Sequence, residues 1–393
     1  MKFEIKRFRQ TWRVLYAVII IIIMAVVSKS GGVQNLRVKE LKGVLAAEAE
    51  YEAIQENPVI TQTVIDRAWA TYKGAASEGT DGRVLASEYA YPSVLLKYAR
   101  YVYDKLPDQI TDVSHFFEKR TQKIVTNAAQ SGQYSESELQ QLEELVRATS
   151  GPFKNGEGSL WKTYFLESTL GGILFAAIAI LTGAGFFWED HKVGMDRVLA
   201  SVGARKLQRY AFRRIMAGIL FLTVSYTVNL FVMTALLWRK VKYMYLDSPV
   251  IIAEYGSVYT DSIRSFYVKA ALGGLISILV AYLISCLVNL CAKDRIRTLT
   301  VTAIIYFAPA VGVALKHIPA GLSRVAAVQP VMGIMYNKSL LSYHFYGTMT
   351  SYEMTSVIGV ILILTICILI LQLEKGNTGR IRWKADEGNY EYR

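Results

Sequence analysis

Four histidines and three cysteines are the residues of this 393-residue chain best suited to metal binding or nucleophilic chemistry, and their spacing supports neither. His115, His191, His317 and His344 are scattered over three connections and share no metal-ligand spacing. There is no HExxH, no paired CxxC, no GxxxxGK[ST] loop to cradle phosphates and no GxSxG elbow to present a serine nucleophile. Cys286, Cys291 and Cys367 lie in or at the ends of apolar runs, where they read as apolar filler. The chain is therefore expected to catalyse nothing by itself and to hold no cofactor or metal. Two residues within apolar runs stand out: Glu167, a carboxylate that must reach water, pair, or serve as a gating or pathway charge, and Pro309, which removes a backbone donor and either bends or hinges its helix.

The remaining chemistry is recognition. Residues 185 to 214 read "GFFWEDHKVGMDRVLASVGARKLQRYAFRR". Met195, Val198, Leu199 and Val202 form an apolar stripe at helical spacing, and Arg205, Arg209 and Arg213 stand four apart on one face. Such a helix needs a partner surface, either anionic lipid or a soluble subunit.

The elements that position this segment are apolar runs. Val14 to Val27, Tyr164 to Trp188, Ile215 to Trp238, Ala270 to Ala292, Leu299 to Leu315 and Val357 to Leu373 reach or approach the roughly 20 residues that cross a bilayer as a helix. With 52% hydrophobic residues, the expectation is an all-α polytopic membrane protein of six transmembrane helices. Lysine and arginine set its orientation. The stretches 1–13, 189–214, 293–298 and 374–393 carry 20 of them, whereas 239–269 and 316–352 carry eight, so both termini are expected in the cytoplasm. Arg239, Lys240 and Lys242 are a local conflict with that count. The net charge of +12 is concentrated where membrane topology wants it and gives no reason to expect nucleic acid. A basic start, a short apolar run and Ser28 and Ser30 also fit a cleaved signal peptide, which would leave five spans.

This divides the chain into a cytoplasmic start and first span (1–28), an extracellular domain (29–163), a membrane domain (164–373) and a cytoplasmic tail (374–393). The extracellular part has nearly balanced charge and no cysteine, so it folds without disulfides, as suits a bacterial surface. Ile110, Val113, Phe117 and Ile124 fall at helical spacings, as do Leu139, Leu142, Leu145 and Val146, with Ser135 and Glu138 placed as a capping box. Breakers divide it into four or five helices.

The segment 185–214 resembles the connection between the second and third spans of type-2 ABC exporter permeases: an acidic residue, a glycine five later, an apolar pair, a small residue and two basic residues. Glu189, Gly194, Val198 with Leu199, Ser201, Arg205 and Arg213 supply that pattern. The connection "AAVQPVMGIMYN" with Pro330 and the stretches "HFFEKRTQKI" and "SESELQQLEELVRATSGPF" are similar to a Gram-positive branch of the same family. The family often has a proline where this chain reads "ASVGAR". The resemblance implies a coupling helix that docks on an ABC ATPase subunit, which holds the ATP and Mg. It also implies a second permease subunit, identical or similar, and export of a hydrophobic or peptide-like substrate from the bacterial cytoplasmic membrane. The rival readings are a membrane-anchored sensor whose extracellular domain binds a peptide or envelope ligand, and an ion-coupled transporter, which the scarcity of ionisable residues in the spans disfavours.

Overall fold

In the computed structural model, residues 12–36, 54–77, 98–105, 109–149, 151–156, 158–186, 204–238, 245–314 and 319–386 are described. The chain is mostly helical. The first helix, α1 (Trp12–Leu36), is followed by β1 (Val59–Ile60), α2 (Gln62–Ser77), α3 (Phe116–Ser131), α4 (Glu136–Ala148) and β2 (Phe153–Lys154). Then come α5 (Ser159–Ala184), α6 (Ala204–Trp238), α7 (Ile263–Ala292), α8 (Arg295–Ala314), α9 (Ala320–Ala327) and α10 (Tyr336–Ser339). The strands β3 (Phe345–Tyr346) and β4 (Met349–Thr350) and the long helix α11 (Ser351–Asp386) complete the order.

Four stretches among the described residues are long and apolar enough to cross a membrane: Trp161–Ala184, Arg205–Trp238, Ile263–Ala292 and Ser351–Leu373. A shorter apolar helix covers Trp12–Ser28. This is the build of a multi-pass membrane protein, and its helix surfaces agree. α11 exposes Ile361, Leu364 and Ile368 while burying Ile366 and Ile370, because a helix that meets lipid on one side and protein on the other is apolar all round.

α7 is the centre of the bundle, packed against α5, α8 and α11. Gly273 and Gly274 let neighbours approach it. A methyl group on Gly273 would stand 2.2 Å from the Tyr352 hydroxyl, and one on Gly274 2.3 Å from Tyr336 and 2.4 Å from Tyr226. Those hydroxyls find partners in the gap: Tyr226 and Tyr336 hydrogen-bond each other at 2.5 Å, and Tyr352 donates to the Lys269 carbonyl at 3.1 Å.

A folded cap covers one end of the bundle. β1 and β2 pair antiparallel, Val59 opposite Lys154 and Ile60 opposite Phe153. α4 starts at the expected capping box: Ser135 accepts from the Glu138 N–H, and Glu138 accepts from the Ser135 N–H at 3.0 Å. Ile110 and Val113, expected on the helix that carries Ile124, lie instead in irregular backbone before α3, though both are buried. The cause is local. Asp112 accepts the Ser114 N–H at 2.8 Å and the Ser114 hydroxyl at 2.5 Å, a side-chain arrangement that competes with helix, and these bonds hold its carboxyl down at about 2.

The cap is completed from later in the chain. Ile251 joins Trp69, Tyr98, Phe116 and Phe153 in one small core. Ile124 and Ala128 of α3 and Leu142 and Val146 of α4 belong to the main core that they share with the spans. Gly158 passes so close to the 3-10 turn Val250–Ile252 that a methyl group there would sit 1.8 Å from the Ile252 carbonyl oxygen.

Candidate functional site

Of the residues expected to dock a partner, Glu189, Gly194, Val198, Leu199 and Ser201 lie outside the described residues. Arg205 and Arg213 open α6, and with Arg209 they form an exposed row. None of the three has a hydrogen bond or ion pair among the described residues. The opposite face of the same turns is buried: Leu207, Ala211, Arg214 and Ile215 face the bundle, and Gln208 donates to the Leu371 carbonyl of α11 at 3.0 Å.

Arg214 was not distinguishable from Arg213 by sequence, yet one helical step of about 100° separates solvent from core. Arg214 is only 2% exposed, its guanidinium 4.6 Å from the centre of the Phe186 ring and its Nη1 donating to the Tyr210 hydroxyl at 3.4 Å. Arg13 of α1 is equally buried. The centre of the Trp12 ring is 5.7 Å from the Arg13 guanidinium and 5.3 Å from that of Arg295 on α8. Aromatic faces here take the place of water around buried cations, an interaction that strengthens as water is excluded.

Glu167 does not reach solvent. It is buried on α5 beside Ser168, near the cap end of the helix. Pro309 is half-buried inside α8, which runs on to Ala314, so the proline removes one backbone donor without ending the helix. Glu167, Pro309 and the arginine row therefore occupy separate places, not one pocket.

Sequence reasoning missed the polar joints of the cap. Arg120 of α3 is fully buried, and its Nη2 donates to the Ser257 carbonyl at 2.6 Å and its Nε to the Tyr255 carbonyl at 3.3 Å. Its guanidinium stands 5.3 Å from the Phe153 ring. A second joint links three distant segments: Glu138 Oε1 to His344 Nδ1 at 2.9 Å, and His344 Nε2 to Ser323 Oγ at 3.2 Å. The order is that of a nucleophile, base and carboxylate, but Ser323 is 4% exposed, so the chain of bonds acts as a clasp between α4, α9 and the β3–β4 hairpin. Burial lowers the His344 pKa below its ordinary 6.5, only partly offset by Glu138. Burial alone would raise Glu138, but the bonds from His344 and Ser135 outweigh it and hold the carboxyl below its usual range. At neutral pH this assigns His344 as the neutral ring that donates to a carboxylate and accepts from Ser323. No sequence signal could have found this set, because its members stand 206 and 21 positions apart. Among the described residues no cluster of His, Cys, Asp and Glu could hold a metal ion. Compared with known proteins, the chain matches no family model, no curated protein and no solved structure.

Proposed function

We propose that the chain is the membrane subunit of a type-2 ABC exporter, with six spans and both termini in the cytoplasm. A separate ATPase binds ATP and Mg and docks on residues 189–214, and a second permease subunit completes the transporter. The observation that supports this reading is the end of the bundle at which α5 stops and α6 starts. α5 ends at Ala184 and α6 begins at Ala204, both at the end of the bundle away from the cap, which also holds Arg13, Arg209, Arg213, Arg214 and Arg295. Basic residues concentrated at one end of a bundle mark its cytoplasmic side, where a soluble subunit waits. Nucleotide-driven closure then does work only if the ATPase contacts residues 189–214 differently in two arrangements of the spans. A hydrophobic or peptide-like substrate follows from the family resemblance.

Co-purification in detergent with any ABC ATPase encoded beside the chain tests this. The wild type is expected to retain the ATPase, and Glu189→Arg and Gly194→Trp are each expected to release it. Failure of any ATPase to associate, or retention by both variants, would overturn the exporter reading and favour the membrane-anchored sensor.

A further inference from the structure

We propose that Arg209 and Arg213 of α6 hold the phosphate headgroups of anionic phospholipids in the leaflet opposite the cap. The reasoning starts from the continuity of one helix face. Arg205, Arg209 and Arg213 are exposed, and the same stripe continues as Phe212, Met216, Leu220 and Val224, which are also exposed. An apolar stripe left bare on a membrane-spanning helix faces lipid, so the arginines at its end face the lipid headgroups. The far end of the helix carries an exposed Trp238, a residue type that settles at membrane interfaces. The rise from Arg213 to Trp238 is about 37 Å, enough for a hydrocarbon core of about 30 Å and part of both interfaces.

Arg213 is thus level with one headgroup layer, and Arg209 lies about 6 Å further out, still within it. Arg205 is about 12 Å beyond Arg213, past the phosphates, and is left for a soluble partner. Charge decides the occupant. Neither guanidinium has a hydrogen bond or ion pair among the described residues, while their neighbour Arg214 is already engaged inside the bundle. A guanidinium offers paired donors that match phosphate oxygens, and at an anionic surface its charge adds to that match. The inference needs the membrane span alone and holds whether or not an ATPase docks on the part of the segment that precedes Arg209.

The test uses the full chain in nanodiscs made from equal amounts of phosphatidylcholine and phosphatidylglycerol. After transfer to mild detergent, the retained lipids are identified by native mass spectrometry. The wild type is expected to retain phosphatidylglycerol in preference, and that preference should fall about tenfold in Arg209→Gln/Arg213→Gln. The paired lysine variant should keep part of it, and Arg147→Gln, on the exposed surface of the cap, all of it. Added salt should weaken the wild-type preference. An unchanged preference in the glutamine variant, or an equal loss in Arg147→Gln, overturns the proposal. If the glutamine variant loses ATPase binding but keeps its lipids, the row serves the soluble subunit and the proposal also fails. Should that variant lose its helical circular dichroism, the salt response of the wild type decides, and a preference indifferent to salt overturns the proposal.

Discussion

The cap and the opposite end of the bundle both hold arginines, but they use them differently. In the cap, Arg120 is sealed in, its Nε and Nη2 donating to two backbone carbonyls of a connection more than 130 positions away. At the other end, Arg214 and Arg13 are buried beside aromatic rings, and Arg205, Arg209 and Arg213 are exposed without a partner among the described residues. A hydrogen bond to a carbonyl fixes one geometry, whereas an exposed guanidinium accepts a partner in many. The cap holds its arginine in one arrangement, and the opposite end leaves a row of them open to solvent.

Substitutions can break this contrast, the severest first. Gly158→Ala places a methyl group against the Ile252 carbonyl, and since backbone must move, a cost of about 4 kcal/mol or more is expected. Loss of the folded fraction on size-exclusion chromatography would register it, and a normal elution with unchanged thermal midpoint would show that the cap is looser than described. Arg120→Ala strands the Tyr255 and Ser257 carbonyls and should cost about 3 kcal/mol, read as a lowered thermal unfolding midpoint in detergent.

His344→Ala comes next, at about 2 kcal/mol, because it deprives Glu138 and Ser323 of a buried partner. Its pH signature is more telling than its size. With its pKa lowered by burial, the folded protein binds the His344 proton less readily than the unfolded chain, so the clasp's stability is complete above about pH 6.5 and declines as pH falls below it. Glu138, also lowered, adds a further loss of the same sign below its ordinary 4.5. Thermal midpoints at pH 7.5 and 5.5 should differ in the wild type and converge in His344→Ala, and a persistent difference would place the titrating group elsewhere. At the opposite end, Arg209→Ala should change stability by less than about 0.5 kcal/mol, since it removes no described interaction. A larger loss there would erase the contrast.

Of the six apolar runs read as spans, four correspond to helices long and apolar enough to cross a membrane among the described residues, and these were legible because hydropathy is a property of consecutive residues. Their ends were less so: α6 begins at Ala204, eleven positions before the apolar run at Ile215, since arginine and lysine are good helix formers and the helix ignores the edge of the hydrocarbon. The capping box at Ser135 and Glu138 was legible because both its bonds are local. Ile110 and Val113 misled because buried irregular backbone can match a helical spacing by chance. Arg120, His344 and Ser323 were invisible, as their partners come from other segments, and nothing in the spacing of Arg213 and Arg214 told which one turns inward.

α6 is one unbroken helix of 35 residues, about 52 Å long and longer than the bilayer it crosses. Near its cap end, the Thr234 hydroxyl joins Tyr164 of α5 at 3.1 Å and Tyr267 of α7 at 2.9 Å. Near its other end, Gln208 is tied to α11. A stiff rod held this way is a lever. A tilt of about 10° about its middle swings each tip by about 4 to 5 Å, so a sideways push at Arg205 arrives as torque on a three-helix knot at the far side of the membrane.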